Sequence, residues 1–67
     1  MSLDAQLLAA HKAGDILALV RLYTEAAEKA ADEARGFFLT QAYVYALECG
    51  DAAAPGLRAA LAREGRI

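Results

Sequence analysis

The stretch Gly36-Phe37-Phe38-Leu39-Thr40-Gln41-Ala42-Tyr43-Val44-Tyr45-Ala46-Leu47-Glu48-Cys49-Gly50 decides the fold. It holds four of the five aromatic residues of the chain and a single charge, Glu48. As a helix it is apolar around most of its circumference, so neighbours on more than one side must cover it. Leu39, Ala42, Tyr43, Ala46 and Cys49 share its deepest face. Phe38 and Tyr45 stand on one shoulder and Leu47 on the other. Phe37 and Val44 project on the far side, beside Thr40, Gln41 and Glu48.

The composition agrees with helices. Roughly a quarter of the chain is alanine, the best helix former, and there is one proline. The whole therefore reads as all-α. Sixty-seven residues make a single domain, residues 1–67, too small for a large core. Small chains compensate with disulfides, a metal or a partner. One cysteine, Cys49, and one histidine, His11, supply neither an internal disulfide nor a zinc set. Self-association is the remedy left. The net charge of -2 is spread over interleaved acids and bases, with no basic stripe for nucleic acid. No apolar run reaches the ~18 residues of a membrane span, and no basic-then-apolar leader opens the chain. A cytoplasmic, reducing home is the expectation. Five arginines to two lysines, with much alanine, suggest a bacterial source of high GC content.

Outward from the central stretch, four segments follow. Segment one covers about Leu3 to Ala13, with Ser2 or Asp4 as N-cap and Leu3, Leu7 and Ala10 on one face, Leu8 beside them. Gly14 supplies a left-handed stop. Asp15 opens segment two, about Ile16 to Ala31. Its apolar stripe is Ile16, Leu19, Val20, Tyr23, Ala26, Ala27 and Ala30, opposite Arg21, Glu25, Glu28, Lys29 and Asp32. The next break has two readings. Either Asp32 caps a third helix and Gly36 is a small contact residue inside it, or helix two runs to Arg35 and Gly36 ends it. The first is preferred. Segment three then covers about Glu33 to Cys49. Gly50 stops it and Asp51 caps segment four, which starts at Ala52 or Pro55 and reaches Glu64 on a face of Leu57, Ala60 and Leu61. Gly65 ends that helix.

The segments repeat. At a spacing of 36, Leu3 matches Leu39, Leu7 matches Tyr43, Ala10 matches Ala46, and Gly14-Asp15 matches Gly50-Asp51. Each unit reads helix, Gly-Asp turn, helix: unit one at about 2–31, unit two at about 32–64. The prediction is two antiparallel helical hairpins, four helices in all. This pattern resembles the tetratricopeptide repeat. Tyr23 and Ala26 stand where that family's second helix has an aromatic and a small residue, and Leu39, Thr40 and Tyr43 resemble its first helix. The chain departs from the family at Leu19, where a small residue is expected, at Ala59, where an aromatic is expected, and in having no proline to close either unit. The resemblance implies binding of a protein segment on the surface lined by the first helix of each unit. Carried onto this chain, the protein-binding candidates are Phe37, Thr40, Gln41 and Val44. Phe37 and Val44 have three destinations: packing under segment one, a contact between copies, or a groove for another protein or peptide.

Nothing in the sequence assembles a catalytic set. Cys49 sits at the end of an apolar helix beside Glu48 and Asp51, without the positive charge a reactive thiolate needs, and reads as a buried small hydrophobe. His11 reads as a surface residue that Asp15, at i+4, can bond. No cofactor or metal is implied. These features predict a small non-enzymatic helical-repeat protein acting through protein–protein contacts, foremost as a homodimer. The alternative is a small-molecule or cofactor-binding bundle with a pocket near Tyr43, Tyr45 and Cys49.

Overall fold

The computed structural model describes residues 2–67. Four helices follow in order: α1 Leu3–Ala13, α2 Ile16–Lys29, α3 Asp32–Cys49 and α4 Ala54–Arg63. There is no strand among the described residues. Helix backbones approach one another closely only between neighbours in the chain, with α2 on α3 the most extensive contact. Every helix consequently keeps a face to solvent, and the Cα envelope measures 32 × 25 × 12 Å.

The glycine stops behave alike. Gly14 and Gly50 both take φ 66°, a region costly for any residue with a Cβ. After each, the aspartate N–H donates back across the last turn, Asp15 to Ala10 O at 3.0 Å and Asp51 to Ala46 O at 2.9 Å. This closes the orphan carbonyls of α1 and α3 in the same way. The aspartates then diverge. Asp15 caps α2, its Oδ1 accepting from Ala18 N–H at 3.1 Å. Asp51 accepts from Ala53 N–H at 2.7 Å, a bond inside the turn, and α4 starts later with no side-chain cap. Pro55 accounts for the difference: it belongs in a helix's first turn, so α4 begins around it. Ser2, not Asp4, caps α1, accepting from Ala5 N–H at 3.1 Å.

The second bend corrects the expectation for Asp32. It does not cap α3. It is the first residue of that helix, at φ 54°, while the N-cap Ala31 has no side chain able to bond. The reason is local. Helix α2 stops at Lys29, short of Ala31, and Ala30 and Ala31 run extended. The chain must then reverse at once, and aspartate is one of the few residues that tolerate the left-handed region. Helix α3 passes through Gly36 unbroken, and Gly36 is buried as a contact residue. Gly65, at φ 71°, turns the tail back so that Arg66 lies over Gly36 and its Nη2 donates to Asp32 O at 2.8 Å. An ion pair from Arg35 Nε to Glu64 Oε2 at 2.6 Å ties the same ends of α3 and α4.

The core is thin in volume. Its buried apolar residues are Ala10, Leu19, Val20, Ala26, Ala27, Leu39, Ala42, Ala46, Leu57 and Leu61, half of them alanine. Alanine lets helices approach closely but removes little apolar surface from water. The deepest line of α3 is Gly36, Leu39, Ala42 and Ala46. Tyr43 is half-buried on the α4 flank, and Cys49 is exposed, contrary to its expected burial. Cys49 lies in the last turn of α3, one residue before the Gly50 stop, and its side chain is exposed.

Candidate protein-interaction surface

The candidate surface is the outward stripe of α3. With Leu39, Ala42 and Ala46 turned to α2, the opposite side of the helix presents Phe37, Thr40, Gln41 and Val44. Phe37 is 56% exposed and Val44 42%. That exposure means that they do not pack under α1. Of the three destinations for these residues, packing under α1 is thereby removed. Thr40 is exposed, but its hydroxyl donates to Gly36 O at 2.8 Å within the helix. Its polar group is satisfied internally, so covering it carries little desolvation cost. Gln41 is half-buried.

Leu47, placed on a shoulder of the helix by sequence, belongs to this surface at 57% exposure. It completes the stripe Phe37, Thr40, Val44, Leu47, spaced by three, four and three residues. That spacing was legible in the sequence. It was obscured because the same helix carries a second, deeper apolar line at helical spacing.

Beside the stripe runs an aromatic cluster joining three helices. Tyr23 of α2 stacks on Tyr45 of α3, centroids 5.9 Å apart and planes 12° from parallel. His11 of α1 meets both edge-on, at 5.9 and 6.0 Å. Phe38 continues the cluster from Tyr23, and Phe37 lies edge-on to Phe38 at 5.5 Å. His11 Nε2 and the Tyr23 hydroxyl share a hydrogen bond of 2.9 Å, so the partner of His11 is Tyr23 rather than Asp15. Burial, with the neighbouring Tyr45 phenol, pushes the Tyr23 hydroxyl above its ordinary value.

Tyr43, Tyr45 and Cys49 are not brought together. Tyr45 is in the aromatic cluster. Tyr43, two residues earlier and on the other flank, lines a cleft with Leu47, Ala54, Pro55 and Arg58. Cys49 Sγ lies 3.9 Å from Ala46 O in its own helix. Among the described residues no three His, Cys, Asp or Glu side chains gather as a metal set, and no helix is long and apolar enough to cross a membrane.

No protein-family model matches the chain, nor does any curated protein or solved structure.

Proposed function

We propose that this chain is a small non-enzymatic helical-hairpin protein that works through protein–protein contact, foremost with a second copy of itself. The observation behind it is the outward stripe of α3, with Phe37, Val44 and Leu47 each at least 42% exposed on a chain whose core is half alanine. Helical hairpins stacked in a row stabilise one another through their neighbours, and about three units are usual before a stack is self-sufficient. Two units leave faces that a copy can cover. The tetratricopeptide resemblance agrees with a contact role, and the bacterial, cytoplasmic setting suggested by composition agrees with a protein lacking disulfides.

Sedimentation equilibrium from micromolar to millimolar protein tests the proposal. A reversible monomer–dimer equilibrium is expected. A monomer of good thermal stability across the whole range overturns it.

A further inference from the structure

We propose that α1 is a lid: it unlatches from α2 as a unit, hinged at Gly14-Asp15, while α2, α3 and α4 stay folded. This goes beyond the self-association reading and does not depend on it.

The make-up of the core is the first support. One cluster of buried residues joins Val20 and Ala27 of α2, Leu39, Ala42 and Ala46 of α3, and Leu57 and Leu61 of α4. The partly buried residues packed against it come from the same three helices, and none comes from α1. Helix α1 buries one residue, Ala10, and an alanine withdraws little apolar surface from water. Leu19 and Leu61 are equally buried, each 2% exposed, yet Leu19 stands outside the cluster. Besides α3, only α1 brings its backbone close to α2. Leu19 is accordingly the residue whose burial depends on α1.

The two terminal helices are held unequally. Helix α4 sets Leu57 and Leu61 in the cluster. It is tied further by the Arg35–Glu64 ion pair, and the tail beyond it by the bond from Arg66 to Asp32 O. Among the described residues, α1 has one side-chain hydrogen bond to another helix, between His11 Nε2 and the Tyr23 hydroxyl at 2.9 Å. The same imidazole makes the edge-on contacts with Tyr23 and Tyr45. His11 is therefore the latch, in the last turn of α1 and beside the hinge. Its bond is exposed to solvent. Segments with few buried contacts and exposed bonds open at a fraction of the global unfolding free energy. Gly14, free of a Cβ, can leave its φ of 66° for many other conformations, which suits a hinge. The open form presents Leu19 and the ring surfaces that His11 covers, an apolar face hidden in the closed form.

Hydrogen exchange of the full chain, followed by NMR at one low concentration, tests the lid. Amides of residues 9–13 should be at least about tenfold less protected than those of residues 42–46. They should also respond less to added urea, because opening α1 exposes less surface than unfolding does. Leu61→Val changes α4, whose backbone does not approach α1. It should lower protection at 42–46 about threefold or more and leave 9–13 unchanged. Tyr23→Phe keeps the ring but removes the hydrogen bond, and should lower protection at 9–13 about threefold. Thiol labelling reads what the opening uncovers. In a Cys49→Ser background, Leu19→Cys should label faster than that variant's own global unfolding allows, and Leu61→Cys only as fast as its own. Equal protection and equal urea response at 9–13 and 42–46 overturn the lid. Unchanged protection at 9–13 in Tyr23→Phe overturns the His11–Tyr23 bond as its latch. Labelling of residue 19 only through global unfolding overturns Leu19 as the residue covered.

Discussion

Adding a methyl group at Gly36 tests how the tail is held. A Cβ there would stand 2.5 Å from the Arg66 guanidinium carbon and 2.6 Å from its Nε, too close for either to stay. What blocks it is the end of a flexible side chain. The backbone at Arg66 is pinned separately, its N–H donating to Leu61 O at 2.9 Å. Gly36→Ala therefore swings the guanidinium into water and breaks its 2.8 Å bond to Asp32 O. That bond is exposed, so its loss costs about 0.5–1 kcal/mol. Replacing glycine by alanine inside a helix returns about 1 kcal/mol. The two nearly cancel, and Gly36→Ala alone should lie within about 0.5 kcal/mol of wild type. The coupling is the sharper quantity. Arg66→Ala should cost about 0.5–1 kcal/mol in the wild type and close to nothing in the Gly36→Ala background, because the contact is already gone. Urea unfolding of the four proteins at one fixed concentration, low enough to keep them monomeric, measures the cycle. Equal cost of Arg66→Ala in both backgrounds refutes the contact. A loss above about 2 kcal/mol for Gly36→Ala alone refutes the premise that only a movable side chain stands over this glycine.

Three further outcomes follow from the packing. Leu39, 4% exposed, should cost about 3–5 kcal/mol when cut to alanine, most of the stability of a chain this short, whereas Tyr43→Ala, half-buried, should cost roughly half as much; thermal melts followed by circular dichroism rank the two, and the reverse order would refute the assignment of the deep line. Ala31→Ser should add about 1 kcal/mol, seen as a higher urea midpoint, because Ala31 already has the extended geometry of an N-cap (φ -131°, ψ 162°) and lacks only the oxygen. The raised Tyr23 hydroxyl means that the folded chain holds this proton more tightly than the unfolded chain does, so the associated stability is complete below the unfolded value near pH 10 and drains away as pH rises through the higher folded value. Tyr23→Phe should flatten that alkaline decline in melts taken between pH 9 and about 11.5; an unchanged slope would refute the coupling.

Sequence alone determined the elements. The extent of helix α1 was legible, because a polar cap, an apolar i, i+4, i+7 face and a terminal glycine are all local features with local causes, while the choice of Ser2 over Asp4 as the cap came from the structure. The left-handed stops at Gly14 and Gly50 were legible for the same reason, as was Gly36 inside a continuous α3. Tertiary structure decided what those elements cover. Asp32 shares the cap chemistry of Asp15, but the two extended alanines before it force a reversal that uses its tolerance of positive φ instead. Cys49 shares a helix face with Leu39 and Ala46 yet is exposed, because a face is buried only where a neighbour reaches it. The outward stripe of Phe37, Thr40, Val44 and Leu47 was written in the spacing, but spacing cannot rank two apolar lines on one helix. The line that turned inward is the one carrying Ala42 and Ala46, which let a neighbouring helix approach closely around Leu39, and this left Phe37, Val44 and Leu47 facing out.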